Sequence, residues 1–161
     1  MTPTLRNRIG GALLAAALAF LVGAIFYARF NADKPKANPE DAQQVAAGKM
    51  IYARNCAVCH GTNLAGQPNW RNKLPNGRMP APPHDQSGHT WHHPDAVLFG
   101  ITRDGLVPGK YAPPKYESDM PAFGATLSEE EIWAVLAYIK SSWPLEIRKV
   151  QREVTLRQGR P

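Results

Sequence analysis

At 161 residues the chain has room for one domain and an extension at either end, and its two cysteines exclude a disulfide framework. The formal charge of +6 is unevenly placed: residues 1–37 hold five Lys/Arg against one acid, 38–143 nine against ten, and 144–161 five against two. A nucleic-acid partner needs a basic stripe on the folded part itself, and the near-neutral middle excludes that class.

Ile9 to Ala28 is a run of twenty uncharged residues rich in Leu, Ala, Phe and Val. At about 1.5 Å per residue it reaches roughly 30 Å, the thickness of a bilayer's hydrocarbon core. The rival reading is a cleaved signal peptide, whose apolar core runs only about 7–15 residues before a small-x-small site. The stretch Tyr27-Ala28-Arg29-Phe30-Asn31 offers no such site. Residues 1–30 are therefore expected to form a retained anchor, a single amino-terminal transmembrane helix. Arg6 and Arg8 precede the run while Arg29, Lys34 and Lys36 follow it, so counting positive charge does not set its orientation. Residues 31–38 (NADKPKAN) read as a polar linker.

A helix is predicted from Asn38 as N-cap, with Pro39 at the first position and Glu40 and Asp41 in the first turn. Gly48, Tyr52 and Cys56 fall at i, i+4 and i+8 and so share one face. A glycine merely tolerated in mid-helix costs about 1 kcal/mol; a close crossing with another helix accounts for it better. The helix runs into Cys56-Ala57-Val58-Cys59-His60, the C-x-x-C-H spacing of c-type haem attachment. Two thiols three apart can form thioethers with the two vinyl groups on one porphyrin edge, and the next imidazole then lies under the iron. A structural disulfide, a thioredoxin-like dithiol and half of a zinc site are the other readings of C-x-x-C; the directly following His60 favours haem. With no further cysteine, the expectation is one covalent haem c.

Residues 61–93 are loop-like, with prolines at 68, 75, 80, 82 and 83. So long a structureless stretch argues against a compact domain unless a buried porphyrin supplies the missing core. Pro94 opens a helix that ends near Gly105, and 106–125 is again rich in Pro and Gly, with Asp119-Met120-Pro121-Ala122-Phe123-Gly124 near its end. Ser128 and Glu131 then form a capping box ahead of Ile132, Val135, Leu136 and Ile139 at helical spacing, flanked by Trp133 and Tyr138, until Pro144. Residues 145–158 carry a second helical pattern with a thin stripe of Leu145, Ile147, Val150 and Val154 amid Arg148, Lys149, Arg152 and Arg157. This basic tail, 144–161, is expected to add little to the haem core, either solvated or touching an acidic partner or anionic lipid. No segment alternates like a strand, so the fold class is all-α.

Gly48-x3-Tyr52-x3-Cys56-x2-Cys59-His60, the later Met120-Pro121-Ala122-Phe123 and the closing SEEEIWAVLAYIKSSW together resemble the class I cytochrome c family over most of residues 39–143. The resemblance implies a cytochrome c domain there, with Cys56 and Cys59 as thioether cysteines, His60 as proximal ligand and Met120 as distal ligand. It implies that Gly48 and Tyr52 pack on the Val135–Ile139 face. It also implies an electron carrier rather than an enzyme, with haem attached outside the cytoplasm. The amino terminus is then cytoplasmic and the domain lies on the periplasmic side of a bacterial inner membrane. Redox partners of that setting are a quinol–cytochrome c reductase, a terminal oxidase or a periplasmic dehydrogenase. The long apolar start, the basic tail and the His-rich segment 84–93 depart from the family pattern.

Met79 competes with Met120, because Arg78-Met79-Pro80-Ala81 looks like Asp119-Met120-Pro121-Ala122. Nineteen residues past His60 leave Met79 a short path around the porphyrin, whereas Met120 has sixty residues of chain and leads directly into the capping box. Two other classes stay open: a haem enzyme or ligand sensor whose distal Met dissociates, and a periplasmic copper-handling protein using His84, His89, His92 and His93. The histidines are expected to be structural or to lie at the haem periphery, with its propionates as acceptors and Arg71 and Arg78 as charge partners. A zinc site of Cys56, Cys59, His89 and His93 would span a gap too long for a finger.

Overall fold

The computed structural model describes residues 13, 16–27 and 36–158. The chain divides into two units, Met1–Pro35 and Lys36–Pro161. In the first, residues 16–27 are helical and their apolar side chains are exposed, Phe20 at 80 % and Phe26 at 72 %. Among the described residues no helix is long and apolar enough to cross a membrane. Both ends of the expected span Ile9–Ala28, and residues 31–35 of the expected linker, lie outside the described residues.

The second unit is all-helical, with two isolated bridges, Met79 with Ser118 and Pro108 with Ala112, and no strand among the described residues. Helix α1 (Ala42–Asn55) starts later than predicted. Its N-cap is Asp41, whose carboxylate accepts the Gln43 and Gln44 N–H groups at 3.0 and 3.1 Å. Asn38 instead closes a turn, its Oδ1 accepting the Glu40 N–H and its carbonyl the Asp41 N–H. Asn-Pro opens a turn as readily as a helix, and Gln44 decides between them by accepting the Asn38 N–H at 2.8 Å and donating to the Lys36 carbonyl.

One short turn, α2 (Ala57–His60), follows and is ended by Gly61 at φ +79°. A 3-10 turn at Thr90–His92 leads into α3 (Asp95–Asp104), capped by Pro94 and Gly105 as the sequence predicts. Helix α4 (Glu129–Ser141) has both bonds of the Ser128–Glu131 capping box. Helix α5 (Leu145–Gln158) closes the described chain.

The crossing of α1 with α4 builds the core. A Cβ on Gly48 would lie 1.9 Å from the Ala134 carbonyl oxygen and 3.0 Å from the Tyr138 Cβ, so only glycine lets the helices approach this closely. Tyr52, one turn on, is 1 % exposed; its ring lies 5.3 Å from that of Tyr138 and its hydroxyl donates to the Gly61 carbonyl. The contact runs along Ala134 and Tyr138, beside the Val135–Ile139 row, and leaves Val135, Leu136 and Ile139 for the interior of the domain.

The tail is helical over the expected residues 145–158, but it turns a different face inward. Helix α5 turns Ile147, Gln151, Val154 and Thr155 inward, while Leu145 and Val150 are exposed. Gln151 is fully buried and bonds to the His93 carbonyl and to Asp95. The stripe read from apolar residues missed this face because its best-buried member is an amide, and a hydrophobic pattern does not register a side chain buried through hydrogen bonds.

Candidate functional site

Where a core would lie between α1, α3, α4 and the two long loops there is a cavity of about 430 Å³, within the usual range for small-molecule and cofactor sites. Its walls are mostly apolar, with Leu98 and Ile101 from α3 and Val135, Leu136 and Ile139 from α4. The four residues singled out as cofactor-binding, Cys56, Cys59, His60 and Met120, all line it.

Both cysteines are free, Cys56 half-buried and Cys59 exposed. Burial, and secondarily the neighbouring Cys59, push the Cys56 thiol up to about 11. That thiol is protonated at neutral pH. A redox dithiol works through a lowered thiol pKa, so the raised Cys56 thiol does not fit the thioredoxin-like reading of C-x-x-C.

His60 is 7 % exposed and its Nδ1 lies 2.8 Å from the Pro82 carbonyl oxygen. When Nδ1–H donates there, Nε2 keeps its lone pair as the free ligand atom. Burial lowers the His60 pKa, with the Pro82 bond opposing it more weakly, which favours the neutral, metal-binding imidazole. The His84 ring stacks on His60 at 3.9 Å, with its own Nδ1 3.0 Å from Thr90 Oγ1. Burial, then the His60 and His89 rings, hold His84 well below the ordinary imidazole range. Nothing in the sequence marks this contact: the two histidines are 24 residues apart, and no periodicity links them.

Met120 is held by a loop that docks on the end of α3. The Phe123 N–H donates to the Thr102 carbonyl at 3.0 Å and the Gly124 N–H to the Arg103 carbonyl at 2.9 Å, using carbonyls that a helix end leaves unpaired. The Ser118 hydroxyl accepts the Met120 N–H. Asp104 ties down the preceding loop, accepting from Arg103, Lys110 and the Tyr111 hydroxyl. These bonds hold its carboxyl far below the usual carboxylate range.

Met79 lines the same cavity, so its shorter path from His60 does not keep it away. Its N–H donates to the Glu117 carbonyl, and Arg78 pairs with Asp119 at 2.6 Å, which lays the two Met-Pro-Ala segments side by side.

The histidines separate. His84, His89 and His93 line the cavity, while His92 is exposed and stacks on Trp91 at 3.7 Å. Partial burial lowers His89 and His93 alike, neighbouring histidines adding to it. Among the described residues no three or more His, Cys, Asp or Glu side chains are grouped to hold a metal ion, so neither the copper-handling set nor the four-residue zinc set converges. Of the two arginines named as charge partners, Arg78 is bound to Asp119 and Arg71 lies 4.1 Å over the Trp70 ring. Two thiols beside a buried, neutral imidazole at an apolar cavity with a thioether in its lining fit a covalently attached haem.

A family model described as cytochrome c matches residues 45–143, more than half of the chain. The chain is 33 % identical over 64 residues to the cbb3-type cytochrome c oxidase subunit CcoP of Rubrivivax gelatinosus, 40 % of this chain and 21 % of that protein. It is 28 % identical over 106 residues to a thiosulfate dehydrogenase of Stutzerimonas stutzeri, 64 % of this chain and 29 % of that protein. It is 30 % identical over 137 residues to the cbb3-type oxidase subunit FixP of Sinorhizobium medicae, 81 % of this chain and 42 % of that protein. The matches thus span less than half the length of each of these relatives. No solved structure matches the chain.

Proposed function

Because the chain belongs to the cytochrome c family and carries covalently bound haem c, we propose that it is a membrane-anchored monohaem carrier of single electrons, not an enzyme, with His60 and Met120 as the residues that would ligate its iron. The observation that carries this reading is His60: a buried imidazole oriented by the Pro82 carbonyl, next to two free thiols, at a cavity that Met120 also lines.

Cys56 and Cys59 hold the group along one edge. The Pro82 bond fixes the His60 ring and leaves Nε2 as the atom that would bind the iron. Haem bound in this way supplies a one-electron couple, whose potential a thioether ligand raises above that of two imidazoles. Met120 would be the second ligand of the group and would leave no open position for a substrate. The apolar side chains of α3 and α4 keep water from the site. Met120 is preferred over Met79 because sixty residues past His60 leave it chain to wrap the porphyrin and it leads directly into the Ser128 capping box, whereas Met79 has nineteen. Electrons pass at the edge near Val58 and Cys59, where Val58 is 86 % exposed.

The proposal assigns residues 1–30 to the anchor, 31–38 to a linker, 39–143 to the haem domain and 144–161 to a basic tail. The uncharged run Ile9–Ala28 and the exposed apolar side chains of residues 16–27 support the anchor. Haem attachment outside the cytoplasm, as the family resemblance implies, supports a periplasmic side for the domain. Two of the relatives are named as subunits of cbb3-type oxidases, which favours a terminal oxidase as acceptor over a quinol–cytochrome c reductase or a periplasmic dehydrogenase.

The test is purification of the full-length protein from solubilised membranes. One haem c per chain, a thioether-to-iron absorption band in the oxidised protein and no carbon monoxide binding in the reduced protein are expected. Tight carbon monoxide binding would replace this reading with the one in which the distal Met dissociates and a small ligand reacts.

A further inference from the structure

A buried polar cluster joins the carboxy-terminal helix to the cavity and has no part in the reading above. Lys140 Nζ lies 2.9 Å from both carboxylate oxygens of Asp95, with the two side chains 6 % and 11 % exposed. From α5, Gln151 Nε2 donates to Asp95 Oδ1 at 2.7 Å and to the His93 carbonyl at 3.1 Å, and Thr155 Oγ1 accepts the Asp95 N–H at 3.1 Å. The backbone at 93–95 is thus clamped between α4 and α5. Gln151 Oε1 is buried without a partner among the described residues, so the amide is held through its Nε2 donor alone, and losing that donor would leave the Asp95 carboxylate and the His93 carbonyl short of a bond.

The clamp bears on the cavity through His93. The His93 ring lines the cavity, 5.5 Å from the ring of His89, which stacks on Trp70 at 5.4 Å. No Lys or Arg is among the lining residues, so beyond the proximal His60 the side chains there able to carry positive charge are His84, His89 and His93. His84 is turned against His60 with its Nδ1 on Thr90. A haem carries two carboxylates, and a charge brought into an apolar cavity needs a hydrogen-bonding partner. Asn55, Gln67, Tyr111 and Tyr116 line the cavity too and can donate as neutral groups, but of the imidazoles there His89 and His93 are the two whose ring nitrogens have no hydrogen-bond partner among the described residues and can bond a carboxylate.

We propose that Gln151 is a positioning residue for the haem site: through the His93 carbonyl and Asp95 it holds the His93 ring at the cavity rim, where His93 and His89 partner the haem carboxylates. The inference rests on the haem reading above. It gives the tail a role that truncation to a minimal haem domain would destroy. A partnered carboxylate stabilises the more positive, oxidised iron less than a bare one does, so displacing His93 lowers the reduction potential.

The experiment is a redox titration of the full-length protein in detergent for wild type, Gln151→Met, His93→Gln and the double variant, with melting temperature and the thioether-to-iron band recorded for each. Gln151→Met keeps the volume and removes both donors. The expected result is a downward shift in Gln151→Met with the band retained, a similar shift in His93→Gln, and no further shift in the double variant, since Gln151 acts through His93. A Gln151→Met protein that melts lower at an unchanged potential would make Gln151 a structural brace only and overturn the proposal. Shifts that add in the double variant would overturn it too. Should Gln151→Met fail to fold, His93→Gln alone decides: a wild-type potential there refutes the rim. Wild-type protein lacking haem would refute the haem reading itself, whereas haem present with unmoved potentials refutes the positioning role alone.

Discussion

His60 and Met120 reach one cavity from backbones that are held by different means. His60 sits in a single helical turn directly after α1, and its ring is fixed by one bond to Pro82, 22 residues on. Helix α1 is in turn locked against α4 by the absent side chain of Gly48. Met120 sits in a loop with no regular structure, held by the open carbonyls at the end of α3 and by the Asp104 cluster. One side belongs to the core of the domain, and the other is docked onto it. The proximal side should therefore fail only when the whole unit unfolds, and the distal side should open on its own.

The largest effect is expected at the crossing. Gly48→Ala drives a Cβ into the Ala134 carbonyl, and backbone cannot yield as a flexible side chain can. The expected loss is about 3 kcal/mol, with a fall in melting temperature on the order of 10 °C. Calorimetry of the purified protein checks it, and a melting temperature within error of wild type would mean that the two helices do not depend on this contact.

Met120→Ala comes next and separates the two sides. It should abolish the thioether-to-iron band, lower the potential and admit carbon monoxide while His60 stays bound, and Met79→Ala should change little. The reverse pattern would move the distal ligand to Met79 and make residues 61–93 the distal loop.

Gly124→Ala is a graded version of the same test. Its Cβ would lie 3.0 Å from the Arg103 carbonyl oxygen and 2.8 Å from Arg103 Cγ, so the Met120 loop must lift slightly from α3. The expected cost is about 1 kcal/mol, seen mainly as faster binding of exogenous ligands such as cyanide to the oxidised protein. An equal loss of global stability with no change in ligand entry would show that the loop is not independent.

Asp104 gives the distal side a pH dependence. Its folded pKa is depressed by bonds from Arg103, Lys110 and Tyr111, so its contribution is complete above the unfolded value of about 4 and is lost as pH falls below that toward the depressed value. Acid titration should weaken the Met120 band before the domain unfolds, and Asp104→Asn should remove that early phase. A titration identical in both proteins would assign the acid lability elsewhere.

The smallest effect concerns the thiols. In protein made without haem, iodoacetamide should modify exposed Cys59 before Cys56, which is half-buried and pushed up to about 11. Peptide mass spectrometry reads the order, and equal rates would contradict the environment described for Cys56.

What the sequence determined by itself was local. The C-x-x-C-H spacing, the Ser128–Glu131 capping box and the bounds of α3 between Pro94 and Gly105 each depend on residues within a turn or two, where chain geometry leaves few choices. The tertiary structure decided what depends on distant partners. His84 lies on His60, and the Met79 segment runs beside the Met120 segment, because packing brings together loops with no shared periodicity. Gln151 is buried because Asp95 and the His93 carbonyl, 56 and 58 residues away, present acceptors there. A helical pattern specifies which residues share a face, but the partner that covers the face is chosen by the rest of the chain.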